Sequence, residues 1–403
     1  MPLYNFIAKA LNGETKRGKK QAKDRKDLAQ ALKQEGCFLI SAVTDEPKSK
    51  FKVSLPKIKH VALKEKLLAT RNLQVMIAAG VSLPRSLEVL SKQTKSKYFK
   101  NCLIEMKDMI LKGTPLSEAI TEFPKVFSTI YVSMVKVGEK TGELEKVLGI
   151  LAQQLERNYR LRSRVRGAML YPAIIVSAMF FIGIIMMVKV VPQISKTFEE
   201  LEIELPIITK VVIAIGNGLA ARWYLLILGL IILFLFFYFL IKNKKGKKAL
   251  DKIILKTPVL SSLTRKINSA YTALSLSALV QGGVPIILAI NIASDAVNNV
   301  FYKNALRETA KEVEKGKKMS KVMAKYTELY SPLFIQMLQV GEETGQTSEM
   351  LEKLAGFLEE EVDNRTKNLS AIIEPLLLLL IGTVVALFAV SFVQPIYSIM
   401  QGM

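Results

Sequence analysis

The chain has 403 residues, 50% of them hydrophobic, yet 57 Lys and Arg against 35 Asp and Glu give a formal net charge of +22. A mean hydropathy of +0.27 with 23% charged residues requires apolar spans and charged domains to be segregated along the chain. The disordered, collagenous and disulfide-scaffold classes are excluded, as are multi-histidine metal sites, because His60 is the single histidine.

Residues 1–46 read as a small α+β domain. Leu3 to Ala8 predicts a strand, Asn12-Gly13 a turn, Asp24 to Gln34 a helix and Phe38 to Val43 a closing strand. The first residues lack the apolar region of a secretory leader, so none is expected. Gly13-Glu-Thr-Lys-Arg-Gly18-Lys19-Lys20 nearly spells a phosphate-binding loop. Lys20 stands where a Ser or Thr would ligate magnesium, and the run falls in a hairpin, so the phosphate reading is rejected. Cys37 and Cys102 are too few for a zinc site of thiolates alone and read as free thiols in a reducing compartment. Residues 47–62, with Pro47 and Pro56, read as a linker.

Residues 63–166 predict a cytoplasmic bundle of about six short helices, with apolar residues recurring at three and four and punctuation at Gly80, Pro84, Gly113 and Pro115. The last helix is expected to start at Thr141 as N-cap, with Glu143 favouring its dipole. It is expected to run through Pro172 to Val190, ~70 Å at 1.5 Å per residue. Gly167 to Val188 carries no charge, and 167–191 is assigned as the first transmembrane helix. Residues 192–222 are expected to be a short extracytoplasmic segment, 223–241 a second span and 242–265 a basic cytoplasmic connection. A second helical bundle follows over 266–369, a third span over 370–394 and a short outer tail over 395–403. The fold class is thus a mainly α polytopic membrane protein.

Lys and Arg placement sets the orientation. Arg157, Arg160, Arg162, Arg164 and Arg166 precede the first span, and Lys242, Lys244, Lys245, Lys247 and Lys248 follow the second. The N-terminus and both large polar regions are therefore expected in the cytoplasm, and the C-terminus outside. Trp223 and Tyr224 then fall at the outer interface. A cationic inner face suits the anionic lipid bilayer, and the charge needs no nucleic acid to explain it.

The chain is an internal duplication. Gly80-Val81 recurs as Gly283-Val284 and Gly113 as Gly316, each at an offset of 203. Ser128 to Gly142 maps on Ser331 to Gly345 with seven identities in fifteen positions. Both repeats end in a span that leaves the cytoplasm, so they are parallel, which weighs against inverted-repeat carriers. Lys189 and Glu374 lie at span ends and snorkel rather than line a path. A membrane transporter or ion-coupled carrier built from repeated helices is kept as the alternative.

The most distinctive motifs are Gly138-Glu139-Lys-Thr141-Gly142 and Gly341-Glu342-Glu343-Thr344-Gly345. They read first as tight helix-to-helix turns, with Gly138 and Gly341 expected at positive φ and Thr141 and Thr344 as caps. The alternatives are a partner contact and a cation site using Glu139 with Glu143, or Glu342 with Glu343. No complete catalytic constellation is found.

With these turns, the run Arg164-Val-Arg166-Gly-Ala-Met-Leu-Tyr171-Pro172 into the first span and the closing Val190-Val191-Pro192, the chain resembles the F family of type II secretion. These are the inner-membrane platform proteins of type II secretion systems and type IV pili (PilC-like). The second repeat carries Glu374-Pro375 where the first has Tyr171-Pro172. The resemblance implies a non-catalytic scaffold without cofactor in the bacterial cytoplasmic membrane. It would meet a cytoplasmic hexameric ATPase, pilin or pseudopilin subunits and other inner-membrane assembly proteins, and form a homodimer.

Overall fold

The computed structural model describes residues 3–10, 14–44, 61–200, 207–221 and 223–402. The predicted Asn12-Gly13 turn, most of the linker and His60 lie outside them. Contacts divide the chain into two units, Met1–Lys59 and His60–Met403.

In the first unit, β1 (Leu3–Ala10) is the centre of an antiparallel sheet, with β2 (Thr15–Gln21) and β3 (Cys37–Thr44) on its two sides. Asp24 caps α1 (Arg25–Gln34) by accepting from the Asp27 amide at 2.8 Å. Leu28 and Leu32 of this helix close a small core with Ala8 and Cys37. Of the run that resembles a phosphate loop, Thr15 to Lys20 lie in β2. Lys20 pairs with Glu35, and Gly18 lies beneath the Phe6 ring, where a Cβ would stand 3.1 Å from it.

The second unit contains both repeats. The first is α2 (Leu63–Ala78), α3 (Leu83–Gln93), α4 (Lys97–Leu111), α5 (Leu116–Thr121), α6 (Thr129–Thr141) and α7 (Leu144–Ile185). A π-helical turn at Met186–Val190 leads into α8 (Val191–Glu200), then α9 (Ile207–Ala221), α10 (Trp223–Lys242) and α11 (Lys244–Lys256). The second repeat is α12 (Pro258–Gln281), α13 (Ile286–Ala296), α14 (Val300–Glu314), α15 (Met319–Met323), α16 (Pro332–Thr344) and α17 (Thr347–Gly402).

The offset of 203 holds throughout the helical turns. Both ends of α3 and α4 map on those of α13 and α14. The positive-φ glycines Gly80, Gly113 and Gly142 recur as Gly283, Gly316 and Gly345. Ser128 caps α6 through the Tyr131 amide, and Ser331 caps α16 through the Phe334 amide. The aromatic packing repeats too, Phe99–Phe127–Tyr131 in one repeat and Tyr302–Tyr330–Phe334 in the other. The rings keep their places while the hydroxyls move, because each hydroxyl only needs a local acceptor when buried. Tyr131 meets Thr70 at 3.2 Å, and the Tyr302 hydroxyl donates to the Leu329 carbonyl at 2.5 Å. Burial pushes the Tyr131 phenol up to about 12. One hydrophobic core runs through both repeats.

Three boundaries differ from the sequence reading. The described residues of 192–222, read as a short segment, form two helices, α8 and α9: α9 packs on the π-helical turn, and a Cβ on Gly216 would stand 2.6 Å from Val191. The connection 242–265 is α11 plus the first two turns of α12, started by Pro258 in the first turn. The tail is not separate, since α17 continues to Gly402.

Among the described residues two helical stretches, Leu144–Gln193 and Thr347–Val390, are long and apolar enough to cross a membrane. Their apolar parts face outward, with Phe181 66% and Leu379 69% exposed. The helix α10 coincides with the predicted return span.

Candidate functional site

The paired Gly-Glu-x-Thr-Gly segments link each bundle to its long helix. In the first repeat α6 ends at Thr141, Gly142 follows at φ 73°, and α7 starts at Leu144 with Glu143 at its N-cap. In the second, α16 ends at Thr344 and Gly345 has φ 72°. The left-handed residue that lets the chain reverse is therefore the second glycine of each motif, where a side chain would be strained.

Gly138 and Gly341 have a different role from the one expected. They lie inside α6 and α16, and their φ is not positive. A Cβ on Gly138 would stand 3.0 Å from Val147 and 3.2 Å from the Leu144 Cα, and one on Gly341 only 2.9 Å from the Thr347 Cα. These are the points where each long helix crosses the preceding one at backbone contact. Thr141 and Thr344 do not cap the long helices either. Each hydroxyl donates back to a carbonyl of its own helix, Val137 at 3.0 Å and Val340 at 2.8 Å.

The glutamates are spoken for by backbone. Glu139 Oε1 accepts from the Leu116 amide at 2.5 Å and Oε2 from the Ser117 amide at 2.9 Å. Glu342 repeats this on Met319 and Ser320 at 2.6 and 3.0 Å. Each carboxylate thus satisfies two of the four unpartnered amides at the start of the short helix α5 or α15. Pro115 and Lys318 at the N-cap positions supply no side-chain cap there.

The cation pairs are not assembled. Glu143 pairs with Lys146 at 3.1 Å, and Glu343 accepts from Gln339 at 2.8 Å. Among the described residues no group of three His, Cys, Asp or Glu converges. What the arrangement does chemically is mechanical: turn, close crossing and cap fix the angle between bundle and long helix.

Along those long helices Tyr171 is exposed, Pro172 is buried inside α7, and Glu374 and Pro375 are exposed inside α17. Beside the second turn lies an open groove of about 760 Å³, lined by Val280, Ile286, Val313, Lys317, Lys318 and Glu349 among others.

The joining of the two repeats was not read from the sequence. Arg157 of α7 pairs with Glu352 of α17 at 3.0 Å, Arg164 with Asp363 at 3.6 Å, and Arg162 donates to the Tyr271 hydroxyl at 3.4 Å. Glu359 sits in the same seam. Burial pushes its carboxyl up, against the opposing pull of Arg157, Arg164 and Arg160. The arginine cluster was read only as a topology signal. Its pairing with acidic residues near 352–363, about one repeat length away, was the available clue.

Known proteins place this architecture. The family model for type II secretion system protein F matches residues 69–192 and 272–395, so the two matched segments are again 203 residues apart. The chain is 29% identical over 400 residues to a type IV pilus assembly protein PilC of Thermus thermophilus, covering 99% of this chain and 98% of that one. It is 31% identical to the Myxococcus xanthus protein of the same name, covering 98% and 94%. A type II secretion system protein F of Xanthomonas campestris is 29% identical, with 99% of each chain covered.

Proposed function

We propose a mechanism from one premise: the chain belongs to the type II secretion system protein F family. It is a non-catalytic platform protein of a pilus or secretion system. The finer reading is that it sits in the cytoplasmic membrane and couples a cytoplasmic assembly ATPase to the extraction of pilin or pseudopilin subunits into a filament.

The observation that carries this reading is helix continuity. In both repeats a single helix starts at the Gly-Glu-x-Thr-Gly turn and continues without a break into the apolar stretch, α7 over 42 residues and α17 over 56. At 1.5 Å per residue these are ~63 and ~84 Å long. A helix is stiff over this distance, so a displacement imposed on a bundle reaches the bilayer as a tilt or rotation of a span. The exposed apolar side chains along α7 and α17 fit lipid rather than water. The two bundles are the parts large enough to receive an ATPase.

The test inserts Gly-Gly-Ser after Arg166, and separately after Leu369, its counterpart. Each insertion breaks the helix between bundle and apolar stretch while leaving both intact. The expected result is normal abundance in the membrane fraction with filaments lost from electron micrographs. The same insertion after Pro47, in the linker, should leave filaments in place. Normal filament numbers with the helix insertions would refute transmission through the helices.

A further inference from the structure

The helix α11 has no counterpart in the duplication, since the offset of 203 sets Lys244 on Ser41, in β3 of the other unit. It is nevertheless built into the second bundle. The helix packs on α12 and α14, and Leu250, Asp251 and Ile254 are half-buried. In the first repeat the start of α4 borrows Glu65 of α2, whose Oε1 accepts from the Ser96 amide at 2.9 Å. Asn268 stands in the place of Glu65 in the second repeat. There the start of α14 borrows Asp251 from α11 instead, with Oδ2 accepting from the Val300 amide at 2.8 Å. One face of α11 is therefore fixed to the bundle.

The opposite face is bare. Lys245, Lys248, Lys252 and Lys256 recur at three and four, so they form one stripe, and all four are exposed. Ala249 and Ile253 lie beside the stripe and are exposed too, Ile253 by 61%. Among the described residues no carboxylate pairs with any of these four lysines. Like charges at this spacing repel and weaken a helix, so the stripe calls for an anionic partner. Its position says which kind. Only Asn243 separates α11 from α10, whose last turn exposes Phe239 and Ile241. Asn243 is extended, and a Cβ on Gly246 would run into the Leu240 carbonyl. The chain thus turns aside where the apolar surface of α10 stops, with the first turn of α11 held against the end of α10.

We propose that the outward face of α11 binds the anionic phospholipid headgroups of the membrane surface, with Lys245, Lys248, Lys252 and Lys256 on the phosphates and Ile253 entering the boundary layer. An interfacial helix of this kind gains from both terms, apolar contact and attraction to negative lipid. Lysine suits it because the stem can lie along apolar surface while the ammonium reaches the phosphate. Through Asp251 and Val300 the headgroups also hold the second bundle against the membrane, a contact that the first bundle lacks because it has no such helix. The inference rests on the reading that α10 crosses the membrane and delivers α11 to its inner surface.

The test labels the full chain at Ala249→Cys with an environment-sensitive fluorophore, which leaves the lysines and Ile253 in place. Cys37 and Cys102 are buried and give little background. The protein is reconstituted into vesicles of phosphatidylcholine alone or of equal parts phosphatidylcholine and phosphatidylglycerol. The expected result is a blue shift of the label in the mixed vesicles only, reversed by high salt. Changing the four lysines together (Lys245→Gln, Lys248→Gln, Lys252→Gln and Lys256→Gln) should abolish the shift, and Ile253→Gln should reduce it. All these side chains are exposed, so the thermal midpoint in detergent should stay unchanged. Equal emission in both vesicle types, or a shift that survives the four lysine changes, overturns the proposal. A shift produced by soluble polyglutamate and not by the mixed vesicles overturns it in favour of an acidic protein. Retention of the protein in vesicles after alkaline washing reads the membrane spans separately. Failure to stay in either vesicle type refutes the spanning of the membrane and the proposal with it, whereas retention in both without a shift refutes the lipid face alone.

Discussion

At the scale of single residues, the two turn motifs hold three separable devices, and each predicts a different outcome. Glu139 satisfies two backbone amides, so Glu139→Ala leaves the start of α5 uncapped and should lower stability by ~1–2 kcal/mol. Glu342→Ala should do the same through α15. Thermal unfolding of the detergent-solubilised protein reads this, and an unchanged midpoint in both variants would contradict the capping role. The glycines separate by asparagine substitution. Asparagine tolerates the left-handed region, and Gly142 has open space for a Cβ, so Gly142→Asn should be mild. Gly138→Asn drives a side chain into Val147 and the Leu144 backbone and should cost ~1–3 kcal/mol. Equal effects would mean that close crossing and backbone conformation have been wrongly separated. The motif itself was legible in the sequence as a turn. The division of labour was not, because sequence spacing shows that a glycine is needed without showing whether φ or a neighbour demands it. Glu139 was illegible for the same reason: its partners lie 22 and 23 residues earlier in the chain.

At the scale of elements, the seam between α7 and α17 carries a titration. Glu359 Oε1 is buried without a partner, and burial raises its carboxyl while Arg157, Arg164 and Arg160 pull it down. An acid whose folded pKa is raised leaves the fold fully stable below the unfolded value, ~4.3, and weakens it as pH rises through the raised value. Glu359→Gln removes that penalty. It should raise the thermal midpoint at neutral pH and leave it unchanged at pH 4, where the native carboxyl is protonated. A lower midpoint at neutral pH would show that the arginines need the charge more than burial penalises it. Helices were the elements best read from sequence, since apolar recurrence at three and four predicts about six of them from residue 63 and α2 to α7 are six. The pair α8 and α9 was missed because residues 192–222 were read only as a short segment between spans, whereas α9 packs back on the turn at 186–190. The beginning of α12 was missed because residues 242–265 were read as one basic connection, although 258–265 carry a single cation, Arg265, and Pro258 opens a helix there.

At the scale of the whole molecule, duplication and charge together predict one topology. Two parallel repeats, each ending in an apolar helix, need a return segment between them, and α10 occupies that place. The charges agree with this order: five arginines lie in 157–166 before the first apolar stretch and five lysines in 242–248 after α10. The helices α8 and α9 pack on each other and on the turn at 186–190, so both belong with the far end of α7. A reporter enzyme active only outside the cytoplasm, fused after Leu205, should therefore be active, after Asp251 inactive, and after Met403 active. Asp251 is the informative position. It lies in α11, where its carboxylate accepts from the Val300 amide at 2.8 Å and so ties α11 to α14 of the second bundle. If the fusion there were active, the second bundle would lie on the opposite side from the first. The repeats would then be inverted across the bilayer, yet they share one core, which a membrane cannot divide. An active Asp251 fusion would thus overturn the topology and require a different packing of the two repeats.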